Sequence, residues 1–238
     1  MANRHRGPCP ETGVDSRRGA TLDRFKNLLH VFNRIEEKMK ERGIIDREDL
    51  GYGVVGGMAV QIHLRGYQEK HNIKGKPTGK RPSNDIDIYV SESFLEYLPV
   101  GLKEERVRAT ELKLTEEPYR LAIEGMKSGT SAQLIKELNS TEDMELFEKL
   151  EVYGIPVNVL KLEHLIPFKI SRYNRKKRPL DCYDVMSLAP VVADRQKEKS
   201  FSWKEFKKNL KEEYITRSME SQRLYQKFIS EVKKYLRS

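Results

Sequence analysis

The chain has 238 residues, a charged fraction of 34%, 45 lysines and arginines against 36 aspartates and glutamates, and a formal net charge of +9. That length allows one large domain or two small ones with a sizeable core, and the basic excess favours polyanionic partners such as RNA or nucleotides. No apolar run reaches membrane-spanning length, the N-terminus lacks the apolar core of a signal peptide, and Cys9 and Cys182 make neither a disulfide framework nor a zinc pattern, so a cytoplasmic protein with no membrane partner is the expectation.

Residues 1–20 are rich in Arg, Gly and Pro with almost no apolar residue, and read as a flexible arm. From Thr21 the rhythm turns helical. Leu22, Phe25, Leu28, Leu29, Phe32, Ile35 and Met39 recur at three- and four-residue steps up to Gly43, which predicts a helix packed beside a short strand at 52–55. Gly56-Gly57 reads as the turn after that strand, and residues 58–64 as the first turns of a second helix. Residues 67–80 carry Lys70, Lys74, Lys76 and Lys80 among Gly75, Pro77 and Gly79. They read as an inserted loop, either simply solvated or folded over a nucleotide or RNA.

The run Asp85-Ile86-Asp87-Ile88-Tyr89-Val90 alternates charge and apolar side chains. In a strand, Asp85 and Asp87 then project from one face while Ile86 and Ile88 enter the core. Two like charges so placed repel, and a divalent cation between them relieves the repulsion. Hard oxygen ligands of this kind suit Mg²⁺, which is usually shared with substrate phosphates. The paired glycines supply the complementary half, because backbone without a Cβ can approach a polyphosphate and present its N–H groups at a helix start. A plain helix cap followed by an exposed strand is the competing reading. Against it stand the apolar Ile86, Ile88 and Val90, and a glycine where a cap prefers Ser, Thr, Asp or Asn.

Further along, residues 91–98 read as a short helix starting near Ser91, and residues 101–126 as a strand pair around Pro118. Residues 128–143 carry no readable pattern. Phe147, Leu150 and Val152, then Ile155, Val157 and Val159, give two strands joined at Gly154, the second expected beside the Asp85–Asp87 strand. An amphipathic helix over 161–172 carries Lys169, as a snorkelling side chain or a phosphate contact. After a basic loop, Asp181 and Asp184 share one face of a helix's first turn, where the dipole favours negative charge; capping alone would account for them. Past Pro190 a helical rhythm of aromatic and aliphatic residues runs to the end, with a lysine-rich face that is either solvated or bound to RNA. The chain thus divides into an arm (1–20), a main domain (21–190) and a C-terminal helical region (191–238).

Gly56-Gly57-x-Ala59 followed by Arg81-x-Ser83-x-Asp85-x-Asp87, in a strand–turn–helix–strand setting, resembles the polymerase-β-like nucleotidyltransferases. The likeness is closer to the nucleotidyltransferase-fold toxins of abortive-infection and toxin–antitoxin systems, which also carry a lysine on a late helix, a basic loop and Asp-x-x-Asp, as in Lys169, Asp181 and Asp184. It covers roughly residues 53–189. It implies an α/β fold (α+β) with a small mixed sheet flanked by helices and a C-terminal helical region. It also implies Mg²⁺-dependent (or Mn²⁺-dependent) transfer of a nucleoside monophosphate from a nucleoside triphosphate to RNA, transfer RNA included, or to protein, beside a cognate antitoxin.

By the same likeness Asp85 and Asp87 hold the metal, Gly56, Gly57 and Ser83 fix the phosphates, and Arg81 or Lys169 offsets the charge on the departing group. Asp181 and Asp184 brace basic residues or the nucleotide. The family's third carboxylate is expected on the strand at 156–160, where this chain has Asn158, which can offer a carbonyl oxygen but takes no proton. Two alternatives therefore accompany the active enzyme. One is a catalytically impaired nucleotide- or RNA-binding protein of the same fold. The other is a small-molecule nucleotidyltransferase, whose cationic substrate would call for an acidic pocket.

Overall fold

The computed structural model describes residues 22–73, 85–116, 118–126, 130–138, 145–174, 176–212 and 218–237. The N-terminal arm, Lys74, Lys76, Lys80, Arg81 and Ser83 lie outside the described residues. The described residues fall into two compact units, 22–66 with 85–161 and 67–73 with 162–237.

In the first unit, helix α1 (Lys26–Glu41) follows a short 3-10 turn, and the predicted stripe of Leu28, Leu29, Phe32, Ile35 and Met39 is buried throughout. Each such side chain contributes about 1.5–3 kcal/mol on burial, which fixes the face that the helix presents. Phe32 meets Tyr52 edge-on at 5.5 Å and Phe94 at 5.1 Å, so α1 packs beside the predicted first strand.

Among the described residues, seven strands form one mixed sheet. They are β1 (Tyr52–Val54), β2 (Asp85–Ser91), β3 (Ala109–Lys113), β4 (Tyr119–Ile123), β5 (Ser131–Leu138), β6 (Phe147–Val152) and β7 (Ile155–Leu160), in the order β3-β4-β5-β2-β1-β7-β6. Strand β1 runs antiparallel to β2 and parallel to β7, and β2 runs parallel to β5. Helix α2 (Gly56–Lys70) follows β1, and α3 (Glu92–Glu104) follows β2, opened by Ser91 Oγ accepting from the Phe94 N–H at 3.2 Å. Buried Leu98 and Leu102 carry α3 past Pro99, beyond its expected end.

The β6–β7 hairpin turns at Tyr153 (φ +57°) and Gly154 (φ +70°), two left-handed residues of the kind that a tight primed turn requires. Tyr153 is an unfavourable residue there. Its ring is flanked by Lys26 at 5.3 Å and Arg65 at 5.0 Å, cation–π contacts that offset the cost.

One expectation is corrected. The strand carrying Asn158 lies against β1, not against the aspartate strand, because β1 is inserted between them and pairs with both. The neighbour of β2 on its other side is β5, drawn from the stretch that carried no readable pattern.

The second unit contains α4 (Leu162–Ser171), α5 (Leu180–Ser187), α6 (Ala189–Lys197), α7 (Trp203–Glu212) and α8 (Met219–Arg237). Phe206 stacks on Phe228 at 6.2 Å and meets Trp203 at 5.2 Å, while Leu224 and Val232 complete the seam. The last turn of α2 also belongs here, where Lys70 Nζ reaches Asp194 at 2.8 Å and pairs with Glu198; the expected loop therefore begins as helix. Cys182 in α5 is buried, and Cys9 lies outside the described residues. No described helix is long and apolar enough to cross a membrane.

Candidate active site

The alternation in β2 has the predicted consequence. Ile86, Ile88 and Val90 are fully buried on one face, and Asp85, Asp87 and Tyr89 are half-buried on the other. The glycine turn closes onto the second aspartate. Gly56 has φ +67°, and a Cβ built on it would collide with Asp87 Oδ2. The Val55 N–H donates to the Asp87 carbonyl oxygen at 3.0 Å. Glycine is thus required at position 56 both by its left-handed backbone and by the approach of a carboxylate. Gly56 and Gly57 open α2, where the first N–H groups of a helix have no partner within it.

On the other side of β2, parallel register sets Ser131 opposite Asp85 and Gln133 opposite Asp87. Residues paired in this way share a face. Ser131 Oγ donates to Asp85 Oδ1 at 3.1 Å, and Gln133 is half-buried beside Asp87. Neither residue stood out in the sequence. The available signal was the two-residue spacing of Ser131 and Gln133, which repeats that of Asp85 and Asp87.

Asn158 does other work. It is 3% exposed, and its Nδ2 donates to the Glu36 carboxylate at 3.2 and 3.1 Å and to the Tyr52 carbonyl at 3.1 Å. Glu36, itself buried, also accepts from the Gly51 N–H at 2.7 Å, and burial raises its pKa. This network ties α1 to the start of β1 and to β7. Asn158 is therefore a buried hydrogen-bond partner of Glu36.

Asp87, on which the Gly56 turn closes, and Asp85 on the same face are the described residues that could hold a hard divalent cation. Mg²⁺ is commonly held by one or two carboxylates, with waters and substrate phosphates completing it. Among the described residues, no three His, Cys, Asp or Glu side chains converge as a self-sufficient metal cage.

Lys169, Asp181 and Asp184 belong to the second unit. The Lys169 amine is fully buried, 2.7 Å from Asp184 and 3.3 Å from Asp181, and Arg172 reaches Asp181 at 3.2 Å. The predicted pairing of two acids on one helix face is present, and what it braces is this lysine and arginine.

No protein-family model matches the chain, and no curated protein sequence is significantly similar to it. Among solved structures it is similar to an antigenic nucleotidyltransferase-like protein from Paracoccidioides brasiliensis, at 15% identity over 91% of this chain and 94% of that one, with a TM-score of 0.48. A protein from H. pylori described as a nucleotidyltransferase aligns at 13% identity over 91% and 96%, with a TM-score of 0.42. The antibiotic-resistance factor ANT(2'')-Ia aligns at 14% identity over 74% and 94%, with a TM-score of 0.38.

Proposed function

We propose that the chain is a metal-dependent nucleotidyltransferase that moves a nucleoside monophosphate from a nucleoside triphosphate to a hydroxyl acceptor. The observation that carries this reading is the closure of the Gly56 turn onto Asp87, with Asp85 on the same face two residues earlier. Asp85 and Asp87 would hold Mg²⁺ or Mn²⁺, which when bound neutralises triphosphate charge and orients its oxygens. The N–H groups opening α2 at Gly56 and Gly57 face phosphate as a helix N-terminus does, without a Cβ to keep it away. Ser131 fixes the orientation of Asp85 through its 3.1 Å hydrogen bond. The acceptor oxygen bonds to the α-phosphorus as the bond to the bridging oxygen breaks, pyrophosphate departs, and the acceptor proton passes to solvent. Arg81 and Ser83, from the resemblance, are assigned to the phosphates. Lys169, by contrast, is read as a brace with Asp181 and Asp184, since its amine is fully buried between them. RNA or protein as acceptor and an antitoxin as partner come from the same resemblance.

A second reading, a nucleotide binder with impaired chemistry, is favoured by Gln133, an amide where the neighbouring strand faces Asp87. Equilibrium binding of each nucleoside triphosphate, with and without Mn²⁺, tests the site common to both readings. Metal-dependent binding that disappears in Asp85→Asn/Asp87→Asn supports it. Binding that ignores both the metal and the substitutions refutes it.

A further inference from the structure

Strand β3 stands at one end of the sheet, and among the described residues β4 is the strand that pairs with it. Its outer edge carries backbone N–H and C=O groups that no described strand satisfies, a template for one strand more. Edges are commonly closed by a bulge or by charge. The bulge of β3 lies between Ala109 and Glu111, which leaves Glu111, Leu112 and Lys113 in regular register against Ala122, Leu121 and Arg120.

Side chains along this segment alternate faces. Leu112 lies opposite the fully buried Leu121 and so belongs to the core face of the sheet, yet it is 37% exposed. Glu111 and Lys113 share the other face, 3.3 Å apart. At the opposite end of the sheet, no large apolar side chain among the described residues of β6 is so exposed.

The order of the charges selects the partner. When a second copy joins antiparallel about a two-fold axis at Leu112, Glu111 lies opposite the partner's Lys113, and Lys113 lies opposite the partner's Glu111. The two Leu112 side chains meet at the centre, and Thr110 faces the partner's Leu114. An axis at Glu111 or at Lys113 would instead set two carboxylates or two ammonium groups face to face, which is unfavourable. The segment is thus self-complementary about Leu112, as a two-fold interface requires. A uniformly acidic or uniformly basic strand would match one of the two charges and repel the other.

We infer that the β3 edge is a homodimer interface, in which two copies pair through residues 110–114 and continue the sheet across the axis. The paired segment is short, so the dimer is weak and forms as concentration rises. This assembly does not depend on the nucleotidyltransferase reading.

Sedimentation velocity of the full chain over a series of concentrations tests the pairing. The wild type is expected to pass from monomer to dimer. Glu111→Lys and Lys113→Glu each turn both cross-strand pairs into like charges, and each should weaken the dimer about tenfold or more. The exchange Glu111→Lys/Lys113→Glu restores opposite charges, keeps the pair within the strand, and should dimerise as the wild type does. An equimolar mixture of the two single variants should form a mixed dimer, which also shows that each has folded. Glu151→Lys, the same reversal on β6, should leave dimerisation unaltered. A wild type that stays monomeric at every concentration overturns the inference, whether the edge is open or covered by another part of the chain. So does a dimer that ignores the single reversals, or one that neither the exchange nor the mixture recovers.

Discussion

The side-chain amide of Asn158 spans both carboxylate oxygens of Glu36, at 3.2 and 3.1 Å, inside the first unit. Replacing this amide by a carboxylate would set two acids together in a buried site, where both cannot be ionised at once. Asn158→Asp is therefore expected to lose about 2–4 kcal/mol of stability at neutral pH, by analogy with other buried charges left unpaired. It is expected to gain no transferase activity. Denaturant unfolding beside a transfer assay checks both, and a gain in activity would return Asn158 to the metal centre.

Gln133 gives the opposite expectation. It sits in register with Asp87 on the adjoining parallel strand and shares its face. Gln133→Glu adds a third hard ligand without entering the core, so Mn²⁺ affinity should rise about tenfold, the effect of roughly 1.4 kcal/mol. Titration of Mn²⁺ by its paramagnetic signal reads this directly. Unchanged affinity would mean that the side chain at 133 does not reach the metal.

Burial raises the pKa of Glu36 above its ordinary value of 4.5. The folded protein then holds a proton that the unfolded chain has released, so this group's contribution to stability is complete below pH 4.5 and is lost as pH rises through the folded value. The stability of the wild type relative to Glu36→Gln should consequently fall with rising pH across that window. Unfolding curves collected at a series of pH values would show it, and a difference that is flat or rises with pH would contradict it.

Lys169 is buried between Asp181 and Asp184. Lys169→Met strands two buried carboxylates and should cost about 3–5 kcal/mol. Lys169→Met/Asp184→Asn should cost less than the sum of its single changes. Additive losses in the double-mutant cycle would show that the pair does not act as a unit.

Much of the first unit could be read from local pattern. The helical stripe from Leu28 to Met39 and the alternation at Asp85–Val90 follow from periods of three to four and of two residues, and the strand junction at Gly154 from its glycine. Strand order could not be read in this way. β7 has the apolar look of any inner strand, and its place beside β1 depends on partners far away in sequence, such as Glu36, 122 residues from Asn158. β5 escaped notice because Ser131 and Gln133, on the face that meets the aspartates, and Lys136, opposite Val90, break its apolar rhythm. The very residues that equip the site make its strand hard to recognise.

The central claim is that Asp85, Asp87 and the Gly56 turn support nucleotidyl transfer. Parallel reactions with α-labelled and γ-labelled nucleoside triphosphates, Mg²⁺, total RNA, cell protein and amino sugars test it most directly, with Gly56→Ala and Asp85→Asn/Asp87→Asn as controls. The account predicts that the α-label alone appears on an acceptor while the γ-label leaves as pyrophosphate. It predicts a fall of about 10²-fold in Gly56→Ala, whose Cβ would displace Asp87, and no transfer in the double variant. Transfer of the γ-label, or α-label transfer that survives loss of both aspartates, would contradict it.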